Sequence, residues 1–425
     1  MNEQGLAFRR RFVGSAGIMK SLGRSARSVG GFMTVFVLIA SAVFFFLLSD
    51  FMSALTLERT KERFGSEADK ALSISEAGLE YYRWHFSEFP TDIQDGTGLS
   101  GPYVHAVLDP ENGNTVGNFS LTISGITSCG VLTSASVRST GWALESASHT
   151  KTLIAQYGTQ TLAASTSPAK SDTSVITATL TNLKTYAQAS GVYLAPASGG
   201  AYGYKIVFKS NGTFDASPVT AVTEIMGYSD DEGWEEENTI ITSVGATTNY
   251  AIPAGCPVVF VEDSVWLEGV VSGKVTFAAA NVASPSINPD IIITGNITYA
   301  HAYDDGLTAI AERSVLISLQ SPDVLQLNGV FVAGTGHFGR HRYDASGTHA
   351  VPTDLQSYVL RSTLNTFGTF ASRGVVNTKW TSSGAFISGY SIRTDVHDAL
   401  LAQLPPPFTP TIASGFRIVD WRTQD

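Results

Sequence analysis

The chain reads as a mainly β protein carried on a long N-terminal α-helix that crosses a membrane. A small β head and an irregular right-handed parallel β-solenoid make up the rest. Three observations predict this: an unbroken apolar run over 32–51, a charged, helix-patterned stretch directly after it, and an apolar-x-apolar-x-Gly-x-apolar pattern that recurs beyond residue 258.

The apolar run FMTVFVLIASAVFFFLLSDF, marked by Phe32, Phe36, Phe44 and Phe51, meets its first charge at Asp50. About 20 helical residues at ~1.5 Å each span a ~30 Å hydrocarbon layer, so the run is long enough for one crossing. Residues 1–31 carry Arg9, Arg10, Arg11, Lys20, Arg24 and Arg27 against the single acid Glu3. Positive charge flanking a first span stays cytoplasmic, which places the bulk of the chain outside the cytoplasm. A cleavable secretory signal fits less well: the apolar core is long for one, and no small-x-small motif closes it.

From Met52 to His85, Leu55, Leu57, Phe64, Ala68, Ala71, Leu72, Ala77 and Leu79 recur among charges, as on an amphipathic helix. Span and amphipathic stretch together predict one helix over residues 32–89.

The junction Gly30-Gly31-Phe32-Met33, behind a basic leader, resembles the processing site of type IV prepilins. The resemblance implies cleavage between Gly31 and Phe32 by a prepilin peptidase and assembly with other pilin-like subunits from the inner membrane. Ser75-Glu76-Ala77-Gly78-Leu79-Glu80 is similar to the element that follows the hydrophobic helix in minor pilins of the PilX type and in K-type pseudopilins of type II secretion. One departure matters. Where most pilins keep a Glu at the fifth mature position, this chain has Phe36. A carboxylate in hydrocarbon is retained only for a partner. Its absence implies a subunit that does not make that pairing, as in a filament tip, or else an uncleaved anchor.

Composition bounds the outer part. The whole chain has 27 basic and 37 acidic residues, a net charge of −10, and removing residues 1–31 deepens the acidic excess. Such a surface disfavours phosphate polymers, so no nucleic-acid partner is expected. With 43% hydrophobic residues and 40 glycines among 425 residues, the chain can build more than one folded unit. Few charges and many Thr, Ser, Val and Gly point to strands outside the helix. Cys129 and Cys256 are the only cysteines and fall in different expected units, so free buried thiols are expected in preference to a bridge.

Alternating stretches such as 119–123, 135–139 and 151–157 predict a small β head over 90–160. The Ser/Thr/Ala-rich 161–174 reads as a linker. A β-rich domain follows over 175–425, opened by a short helix near 176–190 and a hairpin at Tyr202–Phe208 with Asn211-Gly212 at its turn. Its solenoid core, about 258–375, rests on the copies Val265-x-Leu267-x-Gly269-x-Val271, Ile291-x-Ile293-x-Gly295-x-Ile297 and Leu325-x-Leu327-x-Gly329-x-Phe331, with Leu364-x-Thr366-x-Gly368-x-Phe370 as a weaker fourth. Alternation buries one strand face and glycine permits a tight corner, which predicts Leu267, Ile293 and Leu327 in one interior column. The phrases "IIITGNITYA", "GVFVAGTGHFGRHRY" and "LLAQLPPPFTP" resemble the solenoid region attached to PilX-like N-termini in bacterial surface proteins. Pro405-Pro406-Pro407 marks a rigid extended break before the C-terminal tail.

For chemistry, the chain offers Asp304 with Asp305, Glu262 with Asp263, and the cluster His337, Arg340, His341 and Arg342. Adjacent carboxylates on a strand point to opposite faces, so neither pair is a ready catalytic dyad. Asp304, Asp305, His337, Arg340 and His341 are the candidate contacts for an extracellular glycan, a surface ligand or an ion; the basic cluster, between glycines, is expected to be a solvated loop. The acidic 230–237 lacks the alternating ligands of a calcium loop and is expected to be a hydrated loop too. No phosphate loop, dinucleotide fingerprint, nucleophile elbow or HExxH helix is present, so no cofactor, metal or enzymatic activity is expected. The expected role is a minor-pilin-like, single-pass surface protein that assembles into or caps a pilus-like filament and displays its solenoid for adhesion. The alternative is a membrane-anchored envelope protein whose solenoid binds or processes polysaccharide.

Overall fold

A computed structural model describes residues 30–165, 172–283 and 288–424; the leader 1–29 and positions 166–171 of the expected linker lie outside the described residues. The chain divides into two compact units, Met1–Ser66 and Glu67–Asp425. The described part of the first is helix, belonging to a single element, α1 (Gly30–Glu88), that continues into the second.

The second unit contains a five-stranded antiparallel sheet in the order Tyr103–Leu108, Thr115–Ser128, Val131–Ala143, Thr150–Thr161 and Thr411–Gln424. The C-terminal part of α1 packs on it through Ile74, Leu79, Tyr82 and Phe86, which join Phe119, Leu121, Val137 and Tyr157 in one core. Glycine makes the approach close. A Cβ on Gly78 would fall 2.9 Å from the Phe119 ring, and one on Gly141 would fall 2.5 Å from the carbonyl oxygen of Ala71. Gly78 is thus a packing glycine. The Tyr157 hydroxyl donates to the Leu79 carbonyl at 2.6 Å, fixing helix to sheet.

The remaining strands run mostly parallel and form three ladders. One joins Val192–Leu194, Val258–Val261, Lys274–Ala279, Gly306–Ala311 and the end of Val324–Ala333. A second joins the start of Tyr204–Lys209 to 265–267, 291–293, Val315–Ile317 and Phe338–Gly339. A third joins 269–271 to 297–299 and continues through Val324–Ala333 and Leu360–Ala371 to Ala385–Val396. The inward side chains of all three meet in one core, with Leu267, Ile293, Ile317, Leu327, Phe277 and Phe331 fully buried. Parallel strands covered in this way read as near-continuous apolar runs, as VVFV and IIIT do. The helix α2 (Thr173–Ala189), with Asp172 as its N-cap, covers the outside of the first ladder through Ile176, Leu180, Leu183 and Ala187.

The third and fourth repeats pair residue for residue: Leu325 with Leu364, Leu327 with Thr366, Gly329 with Gly368, Phe331 with Phe370. Gly269, Gly329 and Gly368 have φ of +120°, +141° and +140°. A Cβ on Gly368 would run into the Gly329 backbone. These glycines let one strand turn from one ladder into the next. The column predicted from the sequence is corrected in one place. Leu267 pairs with Ile293, but Ile293 continues to Ile317, while Leu327 pairs with Ile297. The register shift between Leu267 and Gly269 puts the second repeat out of phase with the first, so that Gly269 pairs with Ile297 and not with Gly295.

Three further expectations change. The ladders extend beyond 258–375, back to Val192 and forward to Val396. The last strand, Thr411–Gln424, is no tail of the β-rich domain, because it returns to the head sheet and pairs with Thr150–Thr161. Cys129 and Cys256 are joined in a disulfide rather than free. Cys129 sits with Gly130 in a two-residue hairpin turn, both at positive φ, and its N–H donates to the Gly255 carbonyl at 2.8 Å. Distance along the chain concealed a contact that the hairpin tip creates.

The bridge closes a separation of 127 residues. Cys256→Ser is expected to lower stability by up to about 4–5 kcal/mol on the loop-entropy estimate, read as a drop in the denaturant midpoint under oxidising conditions, with wild type plus reductant moving toward the mutant. In the ladder core, Ile293→Asp introduces an unpaired charge at a fully buried position and is expected to abolish cooperative unfolding. Asn296→Asp, exposed on the same strand between buried neighbours, keeps the oxygen that accepts from Gln326 N–H and is expected to stay within about 1 kcal/mol of wild type.

Candidate functional site

Among the described residues, one helix is long and apolar enough to cross a membrane; its most apolar window has a mean hydropathy of 2.4 and is 0% buried inside the protein. Phe36, Phe44 and Phe51 are all about 60% exposed or more. Aromatic rings left bare over successive turns require a cover of lipid or protein. Gly31 and Phe32 lie in the first helical turns.

The acidic stretch and the basic cluster, far apart in sequence, meet. Strands Thr213–Ser229 and Gly233–Val244 form an antiparallel hairpin whose turn carries Asp230–Glu232. The hairpin lies along the loop at 337–344, bridged by Tyr228 N–H to Arg342 O at 3.0 Å and Arg342 N–H to Tyr228 O at 2.9 Å. Its tip is held from the other side, where Asp231 accepts from Val375 N–H and Asp230 from the Asn377 amide. Apolar packing completes the docking. Ile225 and Ile240 join Leu319, Tyr343 and Leu355, while the Trp266 indole donates to Thr239 O at 3.0 Å.

His337 and His341 lie within this seam, not in a solvated loop; both are buried. Glu237, also buried, receives His341 Nδ1 at 2.7 Å; His341 Nε2 lies 2.9 Å from His337 Nε2; and His337 Nδ1 faces Asp231 at 3.8 Å. Two imidazoles that meet through their Nε2 atoms share one proton between them. Burial disfavours the imidazolium of His341, but the hydrogen bond and charge of Glu237, with Glu235 beyond it, outweigh burial and raise its pKa. Burial and the neighbouring His341 lower that of His337. The pair therefore reads as His341 charged, donating to Glu237 and to a neutral His337. Gly227 makes room for it, since a Cβ there would stand 2.8 Å from His341 Nδ1.

Glu235 and Glu232 form a hydrogen-bonded carboxyl pair beside these histidines. Burial, then the hydrogen bond with Glu232, pushes Glu235 up to about 7, while the same bond lowers Glu232. A protonated Glu235 donating to an ionised Glu232 satisfies both. The acidic stretch is thus partly buried and bonded instead of a hydrated loop.

Arg340 is fully enclosed, and its guanidinium donates to Val359 O, Leu319 O and Tyr358 O at 3.2, 3.1 and 2.6 Å, between the rings of Tyr343 and Tyr390. It ties three segments together and offers no surface to a ligand. Asp305 is likewise internal, accepting from Gly273 N–H and His301 N–H, both at 2.6 Å, and so pinning two turns. Asp304, its neighbour, is exposed in the same turn. Among the described residues no group of three or more His, Cys, Asp or Glu is arranged to hold a metal ion. The histidines and Glu237 of the seam are buried and closed to a large substrate.

A cavity of about 780 Å³ opens elsewhere, between the ends of the head strands, Tyr186 of α2 and the 405–408 segment. Thr276 donates to the Pro407 carbonyl, so the triple proline guides the chain across the first ladder toward its return to the head.

No family model and no curated protein matches the chain. Among solved structures, the competence-associated pilin ComZ from Thermus thermophilus aligns with 84% of this chain and 97% of its own, at 11% identity and a TM-score of 0.23. A similarity that low carries no argument about this chain.

The seam generates a pH dependence. Glu235 holds its proton more tightly folded than unfolded, so its contribution is fully present below about 4.5 and is lost as pH rises through about 7. His341, also raised, acts in the same direction at higher pH, and His337, lowered, opposes it as pH falls. Glu235→Gln keeps a donor for Glu232 without a titrating proton. Its stability relative to wild type is expected to grow as pH rises from about 4.5 to about 7, measured by urea unfolding followed through tryptophan fluorescence.

Proposed function

We propose that this chain is a minor-pilin-like surface subunit of the PilX and K-type kind, held in the inner membrane by α1 and assembled into, or at the tip of, a pilus-like filament. The observation that carries the reading is α1 itself. One helix includes the Gly-Gly-Phe junction, leaves an apolar stretch bare, and buries its last turns against a small antiparallel sheet through Gly78. That division of labour is what a subunit needs when its helix must leave the bilayer for contact with neighbouring subunits. Phe36, without a carboxylate, favours a terminal position in such a filament.

In this reading the three parallel ladders are the coils of a right-handed β-solenoid, displayed outside the cytoplasm for adhesion to a glycan or another surface ligand. Its role is non-enzymatic. Support comes from the histidines, Arg340 and Asp305, which are engaged in holding the fold together. The cell surface or pilus is its location, and a prepilin peptidase and other pilin-like subunits are its partners.

Processing tests the reading. The mature N-terminus, determined by mass spectrometry in a host with a prepilin peptidase, is expected at Phe32, and Gly31→Arg is expected to abolish cleavage while membrane insertion persists. An N-terminus elsewhere, or cleavage that survives the substitution, leaves a signal-anchored envelope protein instead.

A further inference from the structure

The third ladder carries a surface groove that none of the expected site residues lines. Its strands place Gln326 beside Asn365 and Asn365 beside Thr394 in one row; two positions on, Asn328 lies beside Phe367 and Phe367 beside Val396. The residues between the rows, Leu327 and Thr366, point inward and are buried, so the rows face outward. With Tyr299 at one side they line a groove of about 420 Å³, within the ~300–1,000 Å³ range of small-molecule sites.

Its chemistry is narrow. No lining residue carries a formal charge. On the strand of Thr394 and Val396, Arg393 and Asp395 pair with each other at 2.9 Å, and Asp395 also accepts from the Thr366 hydroxyl. Amides and hydroxyls both donate and accept, and so do the hydroxyls of a sugar. Gln326 is pre-positioned for this, with its N–H held by the Asn296 side chain at 2.9 Å and its own amide donating to Asn328 at 2.8 Å. The half-exposed Phe367 ring supplies an apolar surface among them, as the C–H face of a pyranose requires. Because the rows run across strands, similar groups recur every ~4.8 Å, which suits an extended polymer of like units. A chain of net charge −10 repels anionic polymers from an uncharged groove.

We propose that this groove binds a neutral oligosaccharide through Gln326, Asn328, Asn365, Phe367 and Thr394. The inference rests on the adhesive role proposed for the ladders and names the face and the ligand class, and its failure leaves the processing test untouched.

The full chain, purified in a detergent without a sugar headgroup, is titrated calorimetrically with maltohexaose, cellohexaose, chitohexaose and mannohexaose, and with hexagalacturonate as the anionic counterpart. At least one neutral hexasaccharide is expected to bind. Phe367→Ala, Asn365→Ala and the exposed Thr394→Ala are each expected to weaken it ~10-fold or more, about 1.4 kcal/mol, with unfolding midpoints checked in parallel. Asp109→Ala, in the head, is expected to bind as wild type does. Vesicles bearing a neutral glycolipid tell an anchored glycan from a free one, and capture by either supports the proposal. Absence of binding to every neutral probe and to the vesicles, equal binding of hexagalacturonate, or binding indifferent to all three groove substitutions overturns it.

Discussion

Parallel strand pairing around a single apolar core is the constraint on which most of this molecule depends. Each strand of the three ladders satisfies its backbone through the strand before and the strand after, and its inward side chain is covered only because those neighbours are present. A shift of one residue would turn Ile293 or Leu327 outward, so register is strongly specified. The stacked glycines make the geometry attainable. At Gly368 even a methyl group would meet the backbone of the preceding strand, and a tight corner at that position has no alternative residue.

What lies outside the ladders is tied to them by contacts distant in sequence. The head hairpin reaches residues 255 and 256 through a hydrogen bond and a disulfide, and the C-terminal strand returns across the molecule to close the head sheet. The return of that strand makes the strand order non-sequential. The cost is kinetic: such pairings have a high contact order and form late.

The polar interior follows the same logic. Buried polar groups are held by protein partners, Arg340 by three carbonyls and His341 by Glu237, although Arg340 Nε and one Glu237 oxygen have no hydrogen-bond partner among the described residues. These groups hold the 213–244 hairpin and the 337–344 loop in place. The groove on the third ladder is different in kind. Its amides lie on the outer face, partly exposed.

Several features are local properties of the sequence and were legible there. A span needs only enough consecutive apolar residues, and Phe32 to Phe51 supply them. The alternation of VWLEGVV or VLQLNGVF marks strands because side chains alternate faces whatever the partner. Asn211-Gly212 marks a hairpin because the turn itself requires those residues, and Gly78 stands out within its short element. Other features depend on which segments meet, and only the tertiary structure decided them. Nothing near Cys129 points to Cys256, and nothing in Thr411–Gln424 points to Thr150–Thr161. The His337 to His341 stretch reads as a polar loop until the acidic hairpin covers it, and Gln326, Asn365 and Thr394 are ordinary strand residues until register sets them side by side. Local pattern encodes periodicity and turn chemistry. Pairing across 100 residues or more is chosen by the summed burial of the whole core, which no single segment of the sequence carries.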